Sequence, residues 1–416
     1  LQQVYISWNF VRLVKISTES DPLTQTWRRN QLAVTVATFI GSTGFTLVMP
    51  LLPLYFRQLG VQDLGEVALW SGISVGVTPG IAGLMAPVWG KLADRYGKKP
   101  MVIRALLTFV AVNVAMAYVT APWQIFALRF THGLFAGYGS LTLAMAAASS
   151  PKDRLAESIG MVQMARRLGP TMGPVMGGGI AGLFGLRNAF LVAAVVYILA
   201  LLVVVILYTE TKNQSESSNE KEDQKLSMLA VLRINGFFAL VVVIFILQYT
   251  ERSLAPILPL YIGKFGVLTD QIPVWSGVVF SLIAASGALG NHLCSRFLSN
   301  WPLHRFIALS VLGAGVAAGL MVIAPSIIWF LFAAPIFGVS AGLAMTAAYT
   351  AAGHRLPESS QGVGFGVLSS GSMAGMALSP ILSGAMGTVS LEAVFIVNTV
   401  ALLGLSFFAR RTVGAV

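Results

Sequence analysis

Between Arg187 and Glu210 the chain runs through NAFLVAAVVYILALLVVVILYT (188–209) without one charged side chain. A helix of about 20 such residues spans the roughly 30 Å of a bilayer's hydrocarbon core. Only a very large soluble core or lipid can cover a segment this long and this apolar, and the segment is not alone. The sequence predicts twelve of them, at 30–56, 69–93, 100–121, 123–148, 157–182, 188–208, 234–263, 273–297, 303–323, 326–353, 360–386 and 390–409. Charged residues make up 10% of the 416 residues, where a soluble domain carries about 25%. The expected fold is therefore all-α and integral to the membrane, with lipid as the outer solvent.

The 27 Lys and Arg are distributed unevenly about these spans. Nineteen fall in segments on one side, three (Arg57, Arg187, Lys264) on the other, and five (Arg104, Arg129, Arg166, Arg167, Arg252) inside spans. Basic residues collect in cytoplasmic loops, so this asymmetry predicts both termini in the cytoplasm of a cell-membrane protein. The net charge of +11 is explained by that bias, and no nucleic-acid partner is expected. Residues 1–29 lack the charged, apolar and small-residue order of a signal peptide, so the first span is expected to serve for insertion.

A polar, charge-mixed run at 209–232 divides the chain, six spans on each side. Its composition is that of a flexible linker. The expected organisation is a tail at 1–29, one bundle at 30–208, the linker at 209–232, a second bundle at 233–409 and a tail at 410–416. The bundles read as copies. MPLLPLY at 49–55 matches APILPLY at 255–261 with five identities in seven, and WSG at 70–72 recurs at 275–277. Two parallel six-span repeats are an architecture in which bundles rock about a site near the bilayer midplane.

The densest charge lies between the second and third spans, in GKLADRYGKKP at 90–100. It is either a plain positive-inside turn or a latch. In the latch reading Asp94, Arg95 and Lys98, flanked by Gly90 and Gly97, hold the two bundles together. The second half keeps a damaged copy, GNHLCSR at 290–296, without the Asp. Pro50 and Pro53, with their copies Pro256 and Pro259, are expected to break the first helix of each half and form hinges. Phe39, Phe45, Met49, Tyr55, Met145 and Tyr249 are weak expectations for an apolar cavity lining.

One acid lies deep in a span, Glu251, about 22 Å along its helix from Gly236. An ionisable group at that depth is functional by default. Low dielectric favours the protonated form of a carboxyl group and a neighbouring guanidinium favours the ionised one. Glu251 is a candidate proton carrier, and a structural ion pair with Arg129 or Arg252 is the competing reading. Arg166 and Arg167 sit roughly 14 Å into the fifth span and about 100° apart around it, so they cannot share one direction.

These residues resemble the major facilitator superfamily, and within it the twelve-span drug:proton antiporters. GKLADRYGKKP is close to the superfamily signature between spans 2 and 3. The resemblance implies that this loop stabilises an outward-open state, with Asp94 meeting the start of span 11 near 360–362. LRFTHGLFAG at 128–137 is similar to a second signature and implies a proton-coupling role for Arg129, with His132 on the same helix face. GPTMGPVMGGG at 169–179 fits the antiporter signature at Gly169, Gly173, Pro174, Gly177 and Gly178, which implies an exporter. The first span has no acid, which weakens any preference for cationic cargo.

Neither cofactor nor metal is expected. There is no phosphate-binding glycine loop, and His132, His292, His304, His354 and the single Cys294 are scattered. Enzymatic chemistry is not expected either. The leading reading is a monomeric secondary exporter that exchanges small amphipathic compounds for protons. The alternatives are an exporter of one metabolite, sugar or siderophore-like, and a receptor or scaffold that moves nothing.

Overall fold

The computed structural model describes residues 22–151, 154–210, 228–298, 301–356 and 361–413. The start of the N-terminal tail, most of the 209–232 linker and the last three residues lie outside them. The first pass is α1 (Pro22–Leu47), a 3-10 turn (Met49–Leu51) and α2 (Leu52–Gln58). Then come α3 (Leu64–Tyr96), α4 (Lys98–Ala117), α5 (Pro122–Leu134), α6 (Tyr138–Ser149), α7 (Leu155–Phe184) and α8 (Leu186–Leu207). The second half is a short α9 (Met228–Leu232), α10 (Phe237–Ile262), α11 (Ile272–Leu298), α12 (Leu303–Val322), α13 (Ile327–Arg355), α14 (Gln361–Gly387) and α15 (Leu391–Thr412).

Among the described residues, ten helices are long and apolar enough to cross a membrane. The two expected spans missing from that set fall short for visible reasons. The fourth is broken into α5 and α6, and α7 carries Arg166, Arg167 and a run of glycines. The first helix starts at Pro22, inside the stretch read as a tail.

The proline expectation divides. Pro50 and Pro53 do interrupt the first pass, which turns through a 3-10 segment between Leu47 and Leu52. Pro256 and Pro259 instead lie inside an unbroken α10, so the second hinge is corrected to a continuous helix. Every residue from Ser253 to Ile262 is buried, and packing on all sides keeps the helix whole despite the missing donors.

The repeat is visible in packing. In the first half α7 lies along α1 and crosses to α11; in the second α14 lies along α10 and crosses to α3. Two tyrosines repeat at the level of single bonds. Tyr55 Oη donates to Met116 O (2.7 Å) and Tyr261 Oη to Val322 O (3.3 Å), each spanning 61 residues. One apolar core joins the halves, running from Leu47, Leu51 and Val67 to Ile257 and Leu258. A separate core, from Ala33 and Ala93 to Val204 and Tyr208, serves the first half alone near the linker. The halves thus share a core at the end away from the linker, and the first half keeps its own at the linker end.

Candidate functional site

Two seams close the far end, both lined by glycine. On one, an added Cβ at Gly72 would stand 2.1 Å from Pro380 O, and one at Gly76 2.5 Å from Ala377 O. On the other, an added Cβ at Gly178 would stand 2.3 Å from Pro273 O and one at Gly277 2.2 Å from Pro174 O. Only hydrogen fits where backbone meets backbone this closely. Val175 N–H, just past the Pro174 kink, donates across the second seam to Ser281 Oγ (3.0 Å). The first seam loosens toward the linker end. Gly83 would place a Cβ 3.9 Å from Met373 Sδ, and Gly90 would meet nothing within 4 Å. The gap between the halves opens on that side.

Charge gathers at the floor of this gap. Arg166 and Arg167 are both solvent-exposed, although they sit midway along a membrane-length helix. They diverge as helix geometry requires. The Arg166 guanidinium lies against Gly139 of α6, 3.5 Å from where a Cβ would be. Arg167 donates to the Asn291 side chain of α11 (3.1 Å), whose amide in turn donates to Gly342 O and Thr346 Oγ1. Arg252 comes from α10, and its charge acts on Arg166 together with that of Arg167. Arg252 Nε is buried and has no hydrogen-bond partner. Tyr349 of α13 stands beside both α7 arginines and Ser372, and Ser372 Oγ accepts from Gln248 Nε2 (3.0 Å). Glu251 is half-buried. Among the described residues, the ion pairs Arg154–Glu157 and Lys264–Glu392 involve neither Glu251 nor these arginines. The Glu251–Arg129 or Glu251–Arg252 pair that the sequence allowed is not formed in this state.

Arg129 is enclosed rather than wet, at 2% exposure. Its Nε donates to Ser74 O (3.4 Å), Nη2 reaches Met49 Sδ (3.2 Å), and the guanidinium carbon lies 5.8 Å from the Phe45 ring centre. His132 is sandwiched, stacked on Phe109 at 4.2 Å and edge-on to Phe45 at 5.9 Å. Phe39, Phe45, Met49 and Tyr249 are half-buried, as a lining requires. Tyr55 and Met145 are fully buried in the packed cores and are corrected from lining to core residues. Tyr55 is held there by its bond to Met116 O.

The family model described as Major Facilitator Superfamily matches residues 34–368. The chain belongs to the major facilitator superfamily. It is 32% identical over 288 residues to a protein of Lactococcus lactis named multi-drug resistance efflux pump PmrA homolog, covering 69% of this chain and 71% of that one. It is 31% identical over 263 residues to the multidrug resistance protein MdtG of Dickeya zeae, covering 63% and 64%. Among solved structures it shares the fold of a bacterial homologue of the human lysosomal transporter Spinster, in an inward-facing, unoccupied conformation. That likeness has a TM-score of 0.77 at 16% identity and covers 95% of this chain and 98% of that one. A D-xylose–proton symporter has a TM-score of 0.74 at 12% identity, covering 92% and 97%. At such identities these structures speak for the fold alone. The chain is thus a transporter of the superfamily, with no enzymatic family indicated.

The glycine run of α7 that resembles the antiporter signature serves two partners. Gly169, Gly173 and Gly177, four residues apart, admit α1, where added Cβ atoms would stand 2.5, 2.2 and 1.9 Å from Ser42 Cβ, Thr46 Oγ1 and Leu47 O. Gly178, next to them, faces the other half.

The signature between spans 2 and 3 is not a loop. α3 continues through Gly90, Asp94 and Arg95 to Tyr96, Gly97 alone makes the turn with φ 96°, and α4 starts at Lys98. The expected eleven-residue loop is corrected to two helices and one glycine. The Glu210 carboxylate, from beyond α8, accepts from the N–H groups of Lys98 (2.6 Å) and Lys99 (3.3 Å). Lys99 Nζ returns to Tyr208 O (2.6 Å) and Val205 O (2.9 Å). An anion thus caps the start of one helix and a cation the end of the other. Asp94 is exposed, and the expected meeting point near 360–362 falls on Ser360 and on side chains outside the described residues.

Sequence reasoning missed the break in the fourth span. α5 ends at Leu134, Gly137 takes φ 111°, and α6 starts at Tyr138. The freed carbonyls are claimed from neighbouring helices. Trp89 Nε1 donates to Leu134 O (2.8 Å), and Arg104 Nη2 donates to Phe135 O and Ala136 O (3.1 Å each). The Arg104 guanidinium also stacks on Trp89, 3.3 Å from its ring centre. The signal was the pairing of Gly133 and Gly137 with a charged residue one span away. Arg104→Gln is expected to lower the unfolding midpoint in detergent, by about 1–3 kcal/mol for each carbonyl left bare. An unchanged midpoint would mean that those carbonyls find other donors.

Proposed function

We propose that this protein exports small amphipathic compounds from the cytoplasm in exchange for protons, by alternating access. The observation that carries the reading is the asymmetry of the gap. Glycine seams shut it at the far end, it loosens toward the linker, and Arg166 and Arg167 stand exposed partway along α7 with the charge of Arg252 reaching Arg166 from the other half. A wet pocket at membrane depth with access to one side is what a rocking transporter needs. The excess of Lys and Arg at the linker end assigns that end to the cytoplasm of the cell membrane. The relatives named as multidrug efflux proteins support export rather than uptake. The protein is expected to work as a monomer, since each half finds its partner within the chain.

The test is flux in proteoliposomes under an imposed proton gradient, with amphipathic compounds of differing charge. Gradient-dependent movement of several unrelated compounds supports the proposal. Movement of one metabolite only would narrow it to a dedicated exporter, and no gradient-dependent flux would remove it. Asp94 serves the opposite state in this scheme, meeting α14 when the linker end closes. Asp94→Asn is therefore expected to slow turnover about tenfold while leaving cargo affinity within roughly threefold, because the lost contact belongs to one state of the cycle only. Normal turnover in that variant would reduce Asp94 to a topological signal.

A further inference from the structure

We infer that the cargo carries an anionic head group, a carboxylate or a phosphate-like acid, bound between Arg166 and Arg167 of the first half and Arg252 of the second. This rests on the exporter reading and names the chemistry of its cargo.

Arg166 and Arg167, exposed on α7, and Arg252 of α10 bring three guanidinium groups from two bundles within electrostatic reach of one another. The charges acting on Arg166 are Arg252 and Arg167, both of its own sign. Their fixed contacts are neutral: Gly139 beside Arg166, the Asn291 amide on Arg167, and the Tyr349 hydroxyl near both. Arg252 Nε is buried without any acceptor. Glu251, the nearest acid in sequence, takes no part in the ion pairs Arg154–Glu157 and Lys264–Glu392. Like charges brought together at membrane depth are costly unless something negative joins them. Planar guanidinium forks match carboxylate and phosphate oxygens with paired hydrogen bonds, which suits them to hold an acid head group. Tyr249 and Phe245, stacked on α10 at 6.3 Å, offer an apolar surface along the same helix for the body of the molecule.

The arrangement also explains how cargo could license closure. The linker end shuts by bringing α7 toward the second half. Unoccupied, that movement presses Arg166 and Arg167 toward Arg252. An anion between them turns the repulsion into a bridge, so the loaded protein closes more readily than the empty one. Anion leaving and proton entering also move charge in the same sense, so an inside-negative membrane potential drives both.

The experiment uses three fluorescent probes of shared body and different charge: dansylglycine, its methyl ester and dansylcadaverine. Binding to the purified full chain in detergent is read by energy transfer from tryptophan at fixed ionic strength. Dansylglycine is expected to bind about tenfold tighter than the ester, and dansylcadaverine weakest. Arg252→Gln and Arg167→Gln should each erase most of that preference without weakening the ester. Arg252→Lys, which keeps the charge and loses the fork, should retain part of it and controls for a folding defect, checked by the melting curve. Equal binding of the three probes, or tighter binding of the cation, would overturn the inference. Gradient-driven flux of dansylcadaverine with no anion preference would overturn it and leave the exporter standing. Anion binding without flux of any probe would do the reverse.

Discussion

Gly72→Ala is expected to cut transport at least tenfold without unfolding the protein, whereas Gly90→Ala, on the same helix, leaves this state untouched. The difference is one of neighbours. A Cβ on Gly72 would stand 2.1 Å from Pro380 O and 2.9 Å from Gly384 Cα, both backbone atoms of α14 that cannot swing aside. Overpacking of this kind costs about 1–3 kcal/mol. The cost falls only on the state in which the far end is shut, so about 1.4 kcal/mol already shifts the balance of states tenfold. Gly90 has no atom within 4 Å of its would-be Cβ. There alanine favours the helix by up to about 1 kcal/mol. Spin labels at Lys91→Cys and Phe365→Cys, in a Cys294→Ser background, report the opening at the linker end. The labels should draw together in Gly72→Ala as the far end is forced apart. In Gly90→Ala their distance should be unchanged in the state described, with turnover falling only if Gly90 meets α14 when the linker end closes. Unchanged distance and transport in Gly72→Ala would mean that the α3–α14 seam does not hold the far end shut.

The seam itself was partly legible in the sequence. The spacing of Gly169, Gly173 and Gly177 announces a close helix approach, because glycines four residues apart share a face. What the spacing cannot give is the partner, and three of the signature's glycines turn out to serve α1 within the same half. Gly72 and Gly76, which seal the other seam, belong to no signature, and only Gly72 stands in a repeated motif, WSG. The two-bundle architecture was legible from hydropathy and from the echo at 49–55 and 255–261, since each follows from local pattern. The breaks were less so. Pro50 and Pro53 open a helix while Pro256 and Pro259 do not, because the second pair lies in a collar buried on every side. A helix breaks only when nothing packs it straight. The fourth span breaks with no proline at all, since Trp89 and Arg104 supply donors for the exposed carbonyls. Depth along a helix puts Arg166 and Arg167 partway along α7. That Arg252 would meet them from the other half depends on which faces the bundles turn to each other, and no single-helix pattern encodes that. Arg129 is likewise settled by packing. Its charge at that depth calls for partners, and a carbonyl, a thioether and an aromatic ring supply them.

Glu251→Gln is expected to separate transport from its driving force. Gradient-driven accumulation should fall by an order of magnitude or more, while exchange of cargo across the membrane without a gradient stays within about threefold of the parent, because only a step involving the proton is lost. The sequence offers no other acid this deep in a span. The structure leaves the carboxylate half-buried, outside the ion pairs that hold other acids, and one residue from Arg252. A carboxylate locked to an arginine would be structural, and its loss would expose an unpaired buried charge at about 3–5 kcal/mol. An unlocked one is free to gain a proton from one side and yield it to the other as the gap changes sides. The melting curve distinguishes these roles, and for Glu251→Gln it should not move. The arginines at the floor sharpen the expectation further. Removing a negative charge one residue from Arg252 makes its surroundings more basic, so the variant should bind dansylglycine more tightly than the parent even as it fails to concentrate it. A residue that served only to pack α10 would alter stability and leave coupling and anion affinity where they were. Gradient-driven transport that survives the substitution with its pH dependence intact would take the proton away from Glu251.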